Sequence, residues 1–206
     1  MSKQEIVLIG LEWDMVDLIE SIQNFKLIGV LEFSSDCNFK HLSYLGQDAD
    51  WEKIRKSHPN IKVALTVDRY ADRVRLSKLY GDAALISIYS SHSYISPYVT
   101  LGIGTIVQRG VQIMPQVEIG SFCKININAM VHHESKIGDF CTLAPGSQIL
   151  GRVVISDRVY IGAGAVIRQN CRIGEEAIIG AGAVVVQDVP PRVTVVGVPA
   201  KELNNK

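Results

Sequence analysis

The chain has 206 residues, 21 Lys plus Arg against 21 Asp plus Glu, and a formal net charge of zero. That balance leaves no basic surplus for nucleic acid or an anionic membrane, so neither is expected as a partner. No apolar run approaches a membrane span and the opening MSKQEIVLIG carries no signal-peptide pattern, so a cytoplasmic enzyme of one or two domains is expected.

Residues 1–90 alternate strand and helix patterns. Glu5–Gly10 (EIVLIG) reads as a short buried strand, and Asp14–Gln23 has helical spacing at Met15, Leu18, Ile19 and Ile22. A second strand follows at Lys26–Leu31, a short helix at Trp51–His58 and a third strand at Lys62–Val67. Tyr70–Tyr80 reads as a basic amphipathic helix with Arg73, Arg75 and Lys78 in solvent, and Ala83–Ile88 as a fourth strand. This order predicts a small Rossmann-like α/β domain with a parallel sheet that binds ligands at the carboxyl ends of its strands. A dinucleotide site needs G-x-G-x-x-G after the first strand. The turn here, Gly10-Leu11-Glu12-Trp13-Asp14, has one glycine, so NAD is not expected.

Ser90–Pro97 joins this domain to a different pattern over residues 91–206. An aliphatic residue recurs at every sixth position from Ile95 through Leu101, Val107 and Ile113 to Val185. Four residues behind it runs a column of Val, Thr, Ala, Ser or Cys, from Val99 and Thr105 to Ala183 and Val189. Neither a helix nor a plain strand has a period of six. The pattern predicts a solenoid of short parallel strands, three hexads to a coil, so that residues 18 apart stack. The aliphatic column fills the interior and the small column sits where the chain turns. Cys123, Cys141 and Cys171 lie in the small column and read as apolar fillers, with no disulfide expected in a cytoplasmic chain. The repeat ends at Pro190-Pro191, followed by a strand at Val193–Val196 and the tail Gly197-Val198-Pro199-Ala200-Lys201.

Stacking alone exposes one more feature. Ala144-Pro145-Gly146, Gly162-Ala163-Gly164 and Gly180-Ala181-Gly182 are 18 residues apart and must form a wall almost free of side chains. Lying outside the small column, they read as a groove for a thin ligand such as a pantetheine arm, and not merely as corner fillers. The candidates for a general base are His132 and His133, the only histidines inside the coils. Val131 points inward, so alternation turns His132 outward unless the corner intervenes. Zinc catalysis needs three convergent ligands. Adjacent histidines diverge and His92 lies at the start of the coils, so no metal is expected.

The hexad pattern resembles the left-handed β-helix of the hexapeptide-repeat acyltransferases. The α/β domain ahead of it, His133-Glu134 followed by Lys136-Ile137-Gly138-Asp139-Phe140, and Ala144-Pro145-Gly146 resemble the sugar acetyltransferases of the NeuD/PglD type. The resemblance implies a homotrimer with acetyl-CoA bound between neighbouring β-helices. It selects His133 as the base and makes Glu134 the residue that orients it. It makes the Gly151 backbone, one coil above His133, the holder of the thioester carbonyl, with Asn126 assisting. It implies that Ala163, Gly164 and Ala181 line the CoA groove and that Pro199 and Lys201 lie near the CoA adenine and phosphates. The family's second histidine, nine residues after the first, is Thr142 here, which puts that contact in question.

For the acceptor, the resemblance points to Gly10, Trp13 and Glu32 in the N-terminal domain as binding residues. The bulky, acidic Leu11-Glu12-Trp13 and the Leu31-Glu32-Phe33 turn depart from the family's glycine-rich turn and paired acids. The expected reaction is acetyl transfer to the amino group of a nucleotide-linked 4-amino-4,6-dideoxy sugar for surface glycans. The alternatives are O-acetylation of a free sugar acid of the sialic type and a β-helix that binds partners without catalysis.

Overall fold

The computed structural model describes residues 3–32 and 40–203. Phe33 and the fourth cysteine, Cys37, lie outside the described residues. The chain divides into two compact units, Met1–Ser90 and Ser91–Lys206.

The first unit contains β1 (Gln4–Ile9), α1 (Trp13–Glu20), β2 (Phe25–Leu31), β3 (Tyr44–Gly46), α2 (Trp51–Ser57), β4 (Lys62–Leu65) and α3 (Tyr70–Tyr80). The sheet is parallel, in the order β3-β2-β1-β4. Central β1 is buried from Ile6 to Ile9, as its unbroken apolar run requires. α1 stops short of the predicted Gln23 because the Ser21 hydroxyl takes the Leu18 carbonyl and the Ile22 amide tightens onto Ile19, so the helical ladder ends with the Ser21 amide on Asp17. The predicted strand Ala83–Ile88 contracts to a bridge between Val63 and Leu85 and a strand at Ile88–Tyr89. The amides of Ala84 and Leu85 donate to Gly81 and Asp82, and these turn bonds compete with the ladder. Strand β3 had no signal, being three residues long with no alternation.

Arg73 corrects the reading of α3. It is buried, not solvated, at 2% exposure. The buried residues of α3 are Arg73, Leu76, Ser77 and Tyr80, a stripe at helical spacing that carries position 73 inward whatever its charge.

The second unit is a parallel β-helix. Two-residue strands stack in register at an offset of 18, as in Glu118, Lys136, Val154 and Arg172 along one face. A second face carries Gln112, Met130, Gln148, Val166 and Val184, and a third Ile106, Lys124, Thr142, Tyr160 and Ile178. The aliphatic column lies inside, fully buried from Val107 to Val185, each side chain contributing roughly 1.5–3 kcal/mol. The small column does more than fill. Ser135 Oγ donates to the Leu150 carbonyl (2.9 Å) and accepts the Val153 amide (3.2 Å). Cys123 and Cys141 are free thiols, each 3.1 Å from a corner carbonyl, those of Gly138 and Ser156. Small polar side chains here satisfy backbone groups that the turn leaves without a strand partner.

From Gly104 to Gly182 each corner is a two-residue turn just ahead of the small column, and its second residue takes a left-handed conformation. Gln116, Asn128, Glu134, Arg152 and Asn170 all show φ between +57° and +65°. The repeat slips before the prolines. Val189 bridges Ile173 at an offset of 16, because the Asp188 carboxylate takes the Arg172 amide (2.8 Å) and shortens the last coil. Thr194–Val196 then stacks on Ile178–Ile179, and Lys201–Glu202 folds back antiparallel on it, a strand the sequence did not announce.

One corner carries an ionic ladder. Glu176 accepts from Arg158 (3.0 Å) and Arg192 (3.2 Å), which hold its carboxyl below its ordinary value of 4.5. A carboxyl lowered in the folded state adds stability that is complete above its unfolded value and is lost as pH falls through the folded one. The melting temperature is therefore expected to decline below about pH 4.5. Glu176→Gln should melt lower at pH 7 and follow a flatter acid profile, checked by thermal melts between pH 7 and 3.

Candidate active site

His133 and Glu134 form the corner turn between the strands Met130–Val131 and Lys136–Ile137. His132 turns outward as alternation from Val131 requires, and the turn overrides alternation at His133, so both leave the core. Their rings stand edge-on with centroids 6.2 Å apart, and do not diverge to opposite sides. His133 is half exposed, and its Nδ1 lies 2.9 Å from Glu134 Oε2. With the carboxylate ionised, Nδ1 carries the hydrogen and Nε2 keeps its lone pair, a tautomer assigned from the hydrogen bond. The hydrogen bond from His133 does most to hold the Glu134 carboxyl below its ordinary range, burial opposes it, and Arg152 adds to the lowering. Glu134 is thus an anion at neutral pH.

Directly above lies Gly151, at the register the 18-residue spacing predicts. A Cβ at Gly151 would sit 2.8 Å from both Cε1 and Nε2 of His133, so the ring packs against bare backbone. Arg152 is the next residue of that turn. Its guanidinium meets Glu134 Oε2 at 3.3 Å, and its Nε donates to Asn170 Oδ1 (3.1 Å) one coil further on. Neither residue stood out in the sequence, although positions 134, 152 and 170 obey the same 18-residue spacing.

The glycine wall stands on a different edge, between the strands Thr142–Leu143 and Gln148–Ile149 and their equivalents. The structure corrects its description. Gly146, Gly164 and Gly182 are themselves the corner, with φ of +68°, +64° and +65°. Gly162 is not part of the outer surface, since a Cβ there would sit 2.5 Å from the Ala181 nitrogen. The last two positions of each triplet still give an open surface. Ala163, Gly164, Ala181 and Gly182 are exposed, and nothing stands within 4 Å of a Cβ built on Gly146, Gly164 or Gly182.

Asn126 begins a coil of this wall edge, not of the His133 edge. It is buried, and its Nδ2 donates to the Leu143 carbonyl (3.0 Å), which makes it a coil-stacking residue. Thr142 is also buried, on the strand stacked above Lys124. Pro199 and Lys201 are exposed in the tail. Among the described residues no group of three or more His, Cys, Asp or Glu is placed to hold a metal. No helix among them is long and apolar enough to cross a membrane.

In the first unit, Gly10 and Glu32 meet at the carboxyl ends of β1 and β2. Gly10 needs its positive φ (+88°), and Thr66 Oγ1 donates to its carbonyl. Glu32 Oε2 accepts the Leu11 amide at 2.8 Å. A carboxylate of the chain thus sits on the first-turn N–H, where a phosphate-binding turn leaves the amide open. Trp13 opens α1 half exposed, with the Lys40 ammonium 4.4 Å from its ring centroid.

The bacterial transferase hexapeptide (six repeats) family matches residues 152–187. No curated protein matches the sequence. Among solved structures, a point mutant of perosamine N-acetyltransferase from Caulobacter crescentus, in complex with CoA and GDP-perosamine, is 27% identical with a TM-score of 0.90. The match covers 98% of this chain and 97% of that one. WeeI from Acinetobacter baumannii AYE is 28% identical over 98% of this chain and all of its own, with a TM-score of 0.86. Along nearly its whole length, this chain is thus similar to hexapeptide-repeat sugar acetyltransferases. The acetyltransferase domain of PglB from Neisseria gonorrhoeae FA1090, in complex with acetyl coenzyme A, shares the fold at 22% identity and a TM-score of 0.89. The β-helix is accordingly left-handed.

Proposed function

We propose that the protein transfers the acetyl group of acetyl-CoA to the amino group of a nucleotide-linked 4-amino-4,6-dideoxy sugar, for surface glycan synthesis. The observation that carries this reading is the His133–Glu134 pair packed under Gly151, in a chain similar along its length to perosamine N-acetyltransferase with CoA and GDP-perosamine bound.

In this reading the acceptor nitrogen attacks the thioester carbonyl. A C–N bond forms, the C–S bond breaks, and His133 Nε2 takes the proton from nitrogen and returns it to the departing CoA thiolate. Glu134 holds Nδ1–H and offsets the charge of the imidazolium. The Gly151 amide is the donor to the oxyanion. Ala163, Gly164 and Ala181 flank the pantetheine arm, and Lys201 meets a CoA phosphate. The wall and His133 occupy different edges of one β-helix. A homotrimer that sets the wall of one copy against the His133 edge of the next unites them, and this supports the trimeric assembly.

The N-terminal unit takes the nucleotide in this account, with Gly10, Trp13 and Glu32 at the strand ends. Glu32 occupies the first-turn amide, so the diphosphate is not seated on that N–H, and Trp13 offers its exposed face to the base or sugar ring. The test is thiol release from acetyl-CoA with GDP-, UDP- and dTDP-linked 4-amino sugars and with free sialic acids. Release with one nucleotide sugar is expected; release with free sialic acids alone contradicts the proposal.

A further inference from the structure

Glu134 has two neighbours on one oxygen. His133 Nδ1 stands 2.9 Å from Oε2, and the Arg152 guanidinium 3.3 Å from the same atom. The two contacts differ in kind. His133 and Glu134 are adjacent in one turn, and a half-exposed glutamate side chain has several rotamers that leave such a neighbour. The backbone around it is fixed. Glu134 sits at φ +59°, its amide donates to Pro115 on the coil below (3.2 Å), and the His133 carbonyl accepts the Arg152 amide from the coil above (3.0 Å). What remains free is the direction of the carboxylate.

Arg152 determines that direction. Its backbone is tied to His133, its Nε to Asn170 Oδ1 at 3.1 Å, and its terminal nitrogen reaches down to Glu134. A guanidinium held at both ends is a rigid planar donor. We infer that Arg152, anchored by Asn170, is a positioning residue that fixes the Glu134 carboxylate against His133 Nδ1 and so selects the imidazole tautomer with Nε2 free. The inference rests on the reading of His133 as the base. As an exposed ion pair, Arg152–Glu134 adds little to stability; its effect is on the geometry of proton transfer.

The test compares Arg152→Gln, Arg152→Lys, Glu134→Gln and the Arg152→Gln/Glu134→Gln double variant in acetyl transfer, using the acceptor found in the panel above. Arg152→Gln is expected to lower kcat about tenfold, with KM for both substrates nearly unchanged. Arg152→Lys should recover part of the loss, and the double variant should be no worse than Glu134→Gln alone. A wild-type kcat for Arg152→Gln, a loss confined to KM, or losses that multiply in the double variant would overturn the inference. A second readout needs no acceptor. The nitrogen resonances of His133 should report a single tautomer protonated at Nδ1 in the wild type and a mixture in Arg152→Gln, and the same single tautomer in both would also overturn it. If His133→Ala keeps its activity, the reading of the base fails first. If His133→Ala is inactive while Arg152→Gln is normal, only the role of Arg152 fails.

Discussion

Gly151→Ala is expected to lower kcat about a hundredfold, while the protein folds and melts nearly as the wild type does. The added methyl would stand 2.8 Å from Cε1 and Nε2 of His133, closer than real Cβ contacts come. The backbone at 151 is not in the left-handed region, so alanine is tolerated there and the imidazole must give way. The ring is held through Nδ1 by Glu134 and cannot swing aside without losing that bond. A displacement of about 1 Å at the reacting nitrogen is enough for a loss of this size. Steady-state kinetics with a thermal melt checks it, and an active Gly151→Ala enzyme would mean that the ring does not work from its observed position.

His133→Ala is expected to remove about two to four orders of magnitude of kcat, the usual worth of a positioned base. Half-exposed on a turn, the side chain carries little of the packing, so stability should change little. Binding of acetyl-CoA should persist, because the proposed pantetheine wall lies on another edge of the β-helix. Kinetics and CoA titration of the same preparation check both halves. A variant that loses CoA binding along with turnover would mean that His133 acts as a ligand contact.

The β-helix was legible because its rule is one-dimensional. An inward residue every sixth position fixes the register, and the register places Gly151 over His133 with no further information. What the repeat did not reveal is the turn. The hexad gives no sign that the residue before the small column takes a left-handed conformation, so the glycines of the wall were read as lying outside the corner when they form it. The same omission hid the outward course of His133, which strand alternation alone would turn inward. Arg152 and Asn170 escaped notice although their spacing was available, because a charged residue at a corner carries no signal until its partner is known. The α/β unit was legible where strands are long and apolar, as at Ile6–Ile9, and not where three residues suffice, as at Tyr44–Gly46. Arg73 was misread because its charge outweighed a helical spacing that placed it with Leu76 and Tyr80. Glu32 reads in the sequence as a residue that binds the acceptor, but the donor its carboxylate meets is the Leu11 amide of its own chain.

The central claim is N-acetylation of a nucleotide-linked amino sugar. The most direct measurement is mild alkaline treatment of the product formed from acetyl-CoA and a nucleotide-linked 4-amino-4,6-dideoxy sugar, followed by its mass. An amide keeps its acetyl group, and that is the result predicted. Loss of the acetyl group in alkali would reveal an ester and contradict the account, as would the absence of any acetylated nucleotide sugar.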